Sequence, residues 1–423
     1  MAQYGSRADE PPFISSPRPR PSRSKRTPFG PGVELGSLFG VRIFADYSLL
    51  IIMALVTLNI GAGVLPAWHP QWNKLLTWSV AFAAAVLFFA SILVHELSHA
   101  IVGRKVGIPI SGITLFMFGG VAQMEREPER PRAEFLMAIV GPLTSIAIGV
   151  IASLIGAWSA RNALAMTGNE MDALPRIGPF ATLMLWLGPI NIVLGLFNMV
   201  PGFPLDGGRV LRSILWWATG SYRKATRWAS LAGQTVAWVL ISAGVFMAFG
   251  FYVPLLGTGI VQGLWLILIG WFLSRAARTS YEQVVINEAL ENVPVSRLML
   301  SRLDAVPPEM SVTELVQTRL LHSDQRCFPV LSDGRLEGLV CIEDVRKVPE
   351  SRWNETAVRE VMTPLSGLTV LEANAQSGDA MRALARRDVD QIPVVENGRL
   401  LGLVRRQDIM KWLGLHTHGP QRA

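Results

Sequence analysis

Charged residues are scarce in this chain. They make up 17% of its 423 residues, against about 25% in ordinary globular proteins, while half of the residues are apolar and mean hydropathy is +0.34. That balance excludes a typical soluble enzyme and leaves a membrane protein. Cysteine is scarcer still, limited to Cys327 and Cys341 in the polar C-terminal third. Such usage makes no disulfide framework and suits a reducing compartment. Residues 1–40 lack an apolar run of signal-peptide length, so no cleaved secretory signal is expected. Rich in Pro, Arg, Ser and Gly, with a basic stretch from Arg18 to Arg26, they read as a disordered cytoplasmic tail or as a partner-binding arm. The net charge of +7 is no case for a nucleic-acid partner, because the lysines and arginines cluster where membrane-flanking residues belong.

What is present is a series of long apolar runs. Six are long enough to span a bilayer, near Tyr47–Leu65, Trp78–Val102, Ala133–Trp158, Phe180–Pro201, Ala229–Phe249 and Tyr252–Leu273. The arginine-rich connections all fall on one side: the N-terminal tail, Arg104 to Arg132, Arg209 to Arg227, and Arg275 with Arg278. The positive-inside rule makes that side cytoplasmic, which predicts a multi-pass cell-membrane protein with both termini in the cytoplasm. Between the second and third runs, Ile108–Val121 is apolar but too short for another helical span. Its β-branched residues and glycines predict extended, re-entrant structure, which membranes tolerate only where it lines protein or a cavity.

Within the second run lies Val94-His95-Glu96-Leu97-Ser98-His99. On a helix His95 and His99 share a face and can reach one metal ion, with Glu96 beside them to take a proton from an attacking water. Ionisable side chains cost roughly 2.5–3.5 kcal/mol each at the centre of a spanning helix, so three together call for a functional reason. Zinc held by two histidines needs a third protein ligand. The fourth run ends in Asn198-Met199-Val200-Pro201-Gly202-Phe203-Pro204-Leu205-Asp206-Gly207-Gly208, which puts Asp206 at a broken helix end at the depth of the histidines. Two readings are open for it: a hard oxygen ligand, or a cap on the following helix.

After Thr279 the composition turns polar and repeats itself. Ser311–His322, Phe328–Leu331, a turn through Ser332-Asp333-Gly334-Arg335, Leu336–Val340 and Glu343-Asp344-Val345 match Ser377–Arg386, Ile392–Val395, Glu396-Asn397-Gly398-Arg399, Leu400–Val404 and Gln407-Asp408-Ile409. Each copy predicts helix, strand, turn, strand, helix.

The His95-Glu96-x-x-His99 motif, paired with Asn198…Pro201…Pro204-Leu205-Asp206-Gly207-Gly208, resembles the site-2 protease family of intramembrane zinc metalloproteases. The repeat resembles a pair of CBS domains, about 295–348 and 358–413. The fold so implied is a six-span α-helical membrane domain over residues 41–278, with a short re-entrant β-like segment, followed by an α/β tandem CBS module over 279–423. The resemblance implies that His95, His99 and Asp206 hold one Zn2+ per chain and that Glu96 is the general base. It implies that Asn198 holds substrate or the oxyanion, that Gly119 and Gly120 contact extended substrate, and that Gly141-Pro142 serves close helix packing. It further implies a single-span membrane protein as substrate, a lipid bilayer around the enzyme, and a homodimer through the CBS domains. CBS pairs often bind adenine nucleotides through Gly-x-x-Thr/Ser-x-x-Asp. Asp344 and Asp408 fit that pattern, but Cys341 and Arg405 stand at the hydroxyl position, so a nucleotide sensor and a purely structural module are both open, and Arg405 is a candidate for a phosphate. Other classes compatible with a membrane domain plus CBS domains are a regulated transporter and a non-catalytic scaffold that binds membrane helices; neither has a use for Glu96 together with the three ligands.

Overall fold

The computed structural model describes residues 26–27, 30–124, 126–167, 174–254, 256–387 and 389–417. They divide into two compact units, which comprise Pro21–Glu282 and Gln283–Ala423.

The first unit is built on helices. In chain order they are α1 (Ser48–Trp68), α2 (Lys74–Lys105), α3 (Pro131–Thr167), α4 (Pro179–Asn198), α5 (Asp206–Thr219), α6 (Tyr222–Ala248) and α7 (Ile260–Leu290). Among the described residues, all but α5 are long and apolar enough to cross a membrane, which makes six. The last begins at Ile260 rather than Tyr252, because Pro254 and the positive-φ glycines Gly257 and Gly259 close a turn in which Val253 pairs with Gly257. Helix α5 is too short and too polar to span. It buries Gly207, Gly208, Val210, Arg212 and Ser213 and exposes Ile214 and Trp217. Helices α3 and α4 pack closely through small residues: a Cβ on Gly195 would lie 2.8 Å from Pro142 O, and one on Gly188 would lie 2.8 Å from Ser153 N.

Five strands form one sheet in sequential order: β1 (Arg26–Thr27), β2 (Gly30–Leu38), β3 (Val41–Asp46), β4 (Ile110–Phe116) and β5 (Gly119–Met124). The β3–β4 pair is parallel, with Ile43 opposite Ile113, and the other pairs are antiparallel. The segment expected to be extended is thus a hairpin, with β5 as the terminal strand. Ser48 Oγ accepts from Met117 N (3.2 Å), tying the hairpin turn to the start of α1. The disordered tail expected over residues 1–40 is corrected at its end: residues 30–38 pair with β3, because a turn at Phe39-Gly40 with both residues at positive φ folds this nine-residue strand back along the edge of β3. Residues 1–25 and 28–29 of that tail lie outside the described residues.

The second unit carries a sheet in the order β6 (Cys327–Ser332), β7 (Arg335–Cys341), β10 (Arg399–Arg405), β9 (Gln391–Glu396), with β8 (Thr363–Pro364) paired to β7. Each copy has its own core. Phe328, Val330, Val340, Val312 and Leu315 fill the first, and Leu384, Ile392, Val394, Val404 and Ile409 the second. The lead-in residues Leu290, Val293 and Val295, which precede the first copy in sequence, pack into the second core. The cysteines require a correction. Cys327 and Cys341 stand directly opposite each other across the β6–β7 pair, Cα atoms 3.9 Å apart, and are joined as a disulfide rather than kept as two thiols.

Candidate metal centre

Helix α2 presents two imidazoles. His95 and His99 are one turn apart, about 40° around the axis, and both are buried, at 3% and 7% exposure. Their Nε2 atoms lie 3.1 Å apart. Asp206 Oδ2 lies 3.1 Å from each of them. Donors on one tetrahedral ion with bonds of 2.0–2.1 Å sit about 3.3 Å from one another, so this near-equilateral triangle has the dimensions of one face of such a site.

The other ring nitrogens decide where the lone pairs point. His99 Nδ1 donates to Met137 O at 2.6 Å. A carbonyl can only accept, so a neutral His99 carries its lone pair on Nε2, directed into the triangle. His95 Nδ1 is held by Ser145 Oγ at 2.8 Å. Two nitrogen lone pairs and a carboxylate oxygen converging within van der Waals distance repel one another unless a cation sits among them. The N2O donor set suits Zn2+, so the residues fit the ion that the motif implies.

Asp206 is not the cap of its helix. The N-cap is Leu205, which makes no side-chain capping bond, and Asp206 is the first residue of α5. Its carboxylate therefore enjoys the positive end of the helix while facing the imidazoles.

Helix α3 crosses behind the histidines. A Cβ on Gly141 would stand 2.1 Å from His99 Nε2 and 2.7 Å from His95 Nε2. Close helix packing in this motif thus falls to Pro142 against Gly195, whereas Gly141 makes room for the imidazoles. On the other side, a Cβ on Gly120 would stand 2.3 Å from Glu96 Cγ. The first residues of β5 therefore run against the side chain of Glu96, and Gly119 turns the strand into place with φ 131°.

The remaining expected residues are placed less centrally. Asn198 ends α4 and donates to Leu194 O of its own helix at 3.1 Å; among the described residues it makes no hydrogen bond to the triangle. Asp344 accepts from Cys341 N (3.1 Å) and Lys347 Nζ (2.7 Å). Asp408 takes both Nε and Nη2 of Arg405, at 2.6 and 2.8 Å. Arg405, a candidate for a phosphate, is thus engaged by its own helix start. A second group with metal-ligand chemistry, Cys327, Cys341 and Glu343, has its sulfurs committed to the disulfide. Ser145 and the Met137 carbonyl were not anticipated from sequence. A serine in an apolar run has no distinguishing mark, and a backbone carbonyl has none at all.

Comparison with known proteins gives the family. The profile of Peptidase family M50 matches residues 83–243, and that of the CBS domain matches residues 295–351 and 358–415. The chain is 30% identical over 384 residues to "Putative zinc metalloprotease sll0528" of Synechocystis sp., covering 90% of this chain and 95% of that one. It is 31% identical over 395 residues to "Putative zinc metalloprotease Rip3" of Mycobacterium tuberculosis, covering 91% and 93%. Among solved structures, the "Site-2 Protease from Methanocaldococcus jannaschii" is 27% identical and covers 59% of this chain and 95% of its own, with a TM-score of 0.39. With relatives of this similarity matched over nearly their whole length, the chain belongs to the site-2 protease family of membrane zinc metalloproteases, peptidase family M50, and carries a CBS pair after its membrane domain.

Proposed function

We propose that the protein cuts a peptide bond within or near the transmembrane helix of a membrane-tethered regulatory protein and releases a cytoplasmic fragment. The observation that carries this reading is the juxtaposition of the His95–His99–Asp206 triangle with Glu96 and the terminal strand β5. A spanning helix hides its peptide bonds in its own hydrogen bonds, so substrate must unwind before it is cut. The free edge of β5 supplies the backbone groups that an unwound segment needs and would lay it alongside Glu96. Gly120 leaves the room that Glu96 needs beside that edge.

His95, His99 and Asp206 would hold Zn2+. When bound, the ion supplies Lewis acidity that lowers the pKa of water toward about 7 and polarises the scissile carbonyl. Glu96 takes the proton of the attacking water and delivers it to the leaving amine. Met137 O keeps His99 in the tautomer that ligation requires, and Ser145 orients the ring of His95. Asn198, at the end of α4, is assigned to the substrate or oxyanion, which it can serve by releasing Leu194 O. The arginine-rich connections support a cell-membrane enzyme with its N-terminal segment and CBS pair in the cytoplasm. The CBS pair is assigned a regulatory role. An adenine nucleotide at Asp344 or Asp408 would have to displace Lys347 or Arg405.

The test is cleavage of a panel of single-span membrane proteins by purified protein in detergent, comparing wild type with Glu96→Ala and measuring zinc in both. Cleavage by the wild type alone, with zinc present in each, supports the reading. A folded wild-type protein that binds no zinc refutes it.

A further inference from the structure

Glu134 and Arg212 form a buried ion pair that the chemistry above leaves unused. Glu134 is fully buried and Arg212 is 4% exposed. Arg212 donates to Glu134 Oε1 through Nε at 2.7 Å and also through Nη2. Its guanidinium lies 4.8 Å from the ring centre of Phe203 and 4.5 Å from that of Tyr222, and Tyr222 OH donates to Glu127 Oε2 at 2.7 Å. Replacing such a pair with apolar residues of similar volume is often neutral or stabilising. Stability alone is therefore a poor reason to bury one here.

Its location supplies a better reason. Phe203 precedes Asp206 by three residues and Arg212 follows it by six, so one guanidinium grips both the loop entering α5 and α5 itself. On α3, Glu134, Met137, Gly141 and Ser145 fall within about 80° of one another around the axis. Along that stripe, Glu134 holds Arg212, Met137 O holds His99, Gly141 admits both imidazoles and Ser145 holds His95. All three corners of the triangle are thus referenced to one face of one helix. Two are referenced directly, and Asp206 through the ion pair.

We propose that Glu134 and Arg212 are positioning residues for the metal centre: the pair fixes α5 against α3 so that Asp206 Oδ2 meets both imidazoles at equal distance. This rests on reading the triangle as the metal site. The full-length protein in detergent is compared with the double variant Glu134→Met/Arg212→Met, which fills the volume and leaves no unpaired charge, and with Arg212→Lys, which keeps a charge but loses the planar fork. Zinc affinity is measured by chelator competition, and thermal unfolding is followed on zinc-stripped protein. The double variant should melt no lower than wild type yet bind zinc about 10- to 100-fold more weakly, with Arg212→Lys intermediate. Wild-type zinc affinity in the folded double variant overturns the proposal. If that variant does not fold, Arg212→Lys decides in the same way. His99→Ala separates the two levels: zinc affinity unchanged by His99→Ala means that the triangle is not the metal site, whereas affinity lost there but kept in the double variant removes only the positioning role.

Discussion

Gly141→Ala offers a severe test of the metal centre, because two effects of one methyl group point in opposite directions. Within a helix, alanine is favoured over glycine by about 1 kcal/mol, and Gly141 lies inside α3. That backbone gain is reduced at this position, because Pro142 follows and its ring crowds a Cβ on the preceding residue in the helical conformation. The new Cβ, however, would stand 2.1 Å from His99 Nε2, 2.4 Å from His99 Cε1 and 2.7 Å from His95 Nε2. To restore even a 3.0 Å contact, His99 Nε2 must retreat by about 0.9 Å. It cannot do so freely, because its other nitrogen is anchored to Met137 O at 2.6 Å on the same helix that carries the methyl. A misplacement of about 1 Å in such a constellation costs on the order of 10²-fold, equivalent to about 2.7 kcal/mol of zinc binding. The expected outcome is a protein whose zinc dissociation constant rises about 10²-fold and whose cleavage falls with it, while its zinc-stripped form, which carries the same clash, melts no higher than the wild type. Chelator competition and thermal scans on the same preparations give both numbers. Wild-type zinc affinity in a folded Gly141→Ala protein would mean that the imidazoles do not meet at this point of α3, and would refute the reasoning.

Other expectations follow from the same geometry. Ser145→Ala removes the partner of His95 Nδ1 and should weaken zinc binding by roughly 10- to 100-fold, with Ser145→Thr retaining most of it; equal affinities in all three proteins would show the hydroxyl to be idle. A thiol-specific maleimide should leave the denatured, unreduced protein unlabelled and add two labels after reduction, since both cysteines are in the disulfide; two labels without reduction would contradict the Cys327–Cys341 pairing. His69 lies on the connection between α1 and α2, 1% exposed and bonded to Thr182 Oγ1 at 2.8 Å. Burial holds its pKa below the ordinary 6.5, although a bond with Pro175 works the other way. The unfolded chain therefore takes up that proton first, so the stability that neutral His69 provides is complete above about pH 6.5 and declines as pH falls below it. His69→Gln should flatten the acid limb of a melting-temperature profile, and an identical limb in both proteins would assign the acid sensitivity elsewhere.

Much of the centre was legible because helical spacing encodes geometry directly. A spacing of four from His95 to His99 puts both rings on one face whatever surrounds them, and an acidic residue just past the break at Pro201 and Pro204 had few other places to be. The supports were not legible. Ser145 and Met137 O matter only because α3 crosses α2 at that height, which no local pattern expresses. Strands β2 and β3 escaped notice because Gly30–Leu38 continues the Gly- and Pro-containing tail before it, and because the second partner of β3 is β4, far along the chain. Two details were within reach of closer counting. Cys327 and Cys341 flank one hairpin turn at nearly equal distance, and a one-residue register shift between Val330 and Leu331 brings them face to face. Arg405 and Asp408, like Asp344 and Lys347, are three residues apart at a helix start, where a local ion pair competes with any ligand.

The single stripe on α3 also bears on how this gene can change length. Each residue added to a helix turns everything beyond it by about 100°. An in-frame codon inserted between Glu134 and Ser145 would leave one part of the stripe facing the site and swing the rest away, whatever amino acid it encoded. Duplication of a whole turn fares little better, because it slides His95's support away from His99's by about 5.4 Å. Substitutions in this stretch can be graded by size and chemistry, but insertions and deletions there should be nearly all-or-none, and a library scanning single-codon indels through the chain should show a sharp gap at residues 134–145.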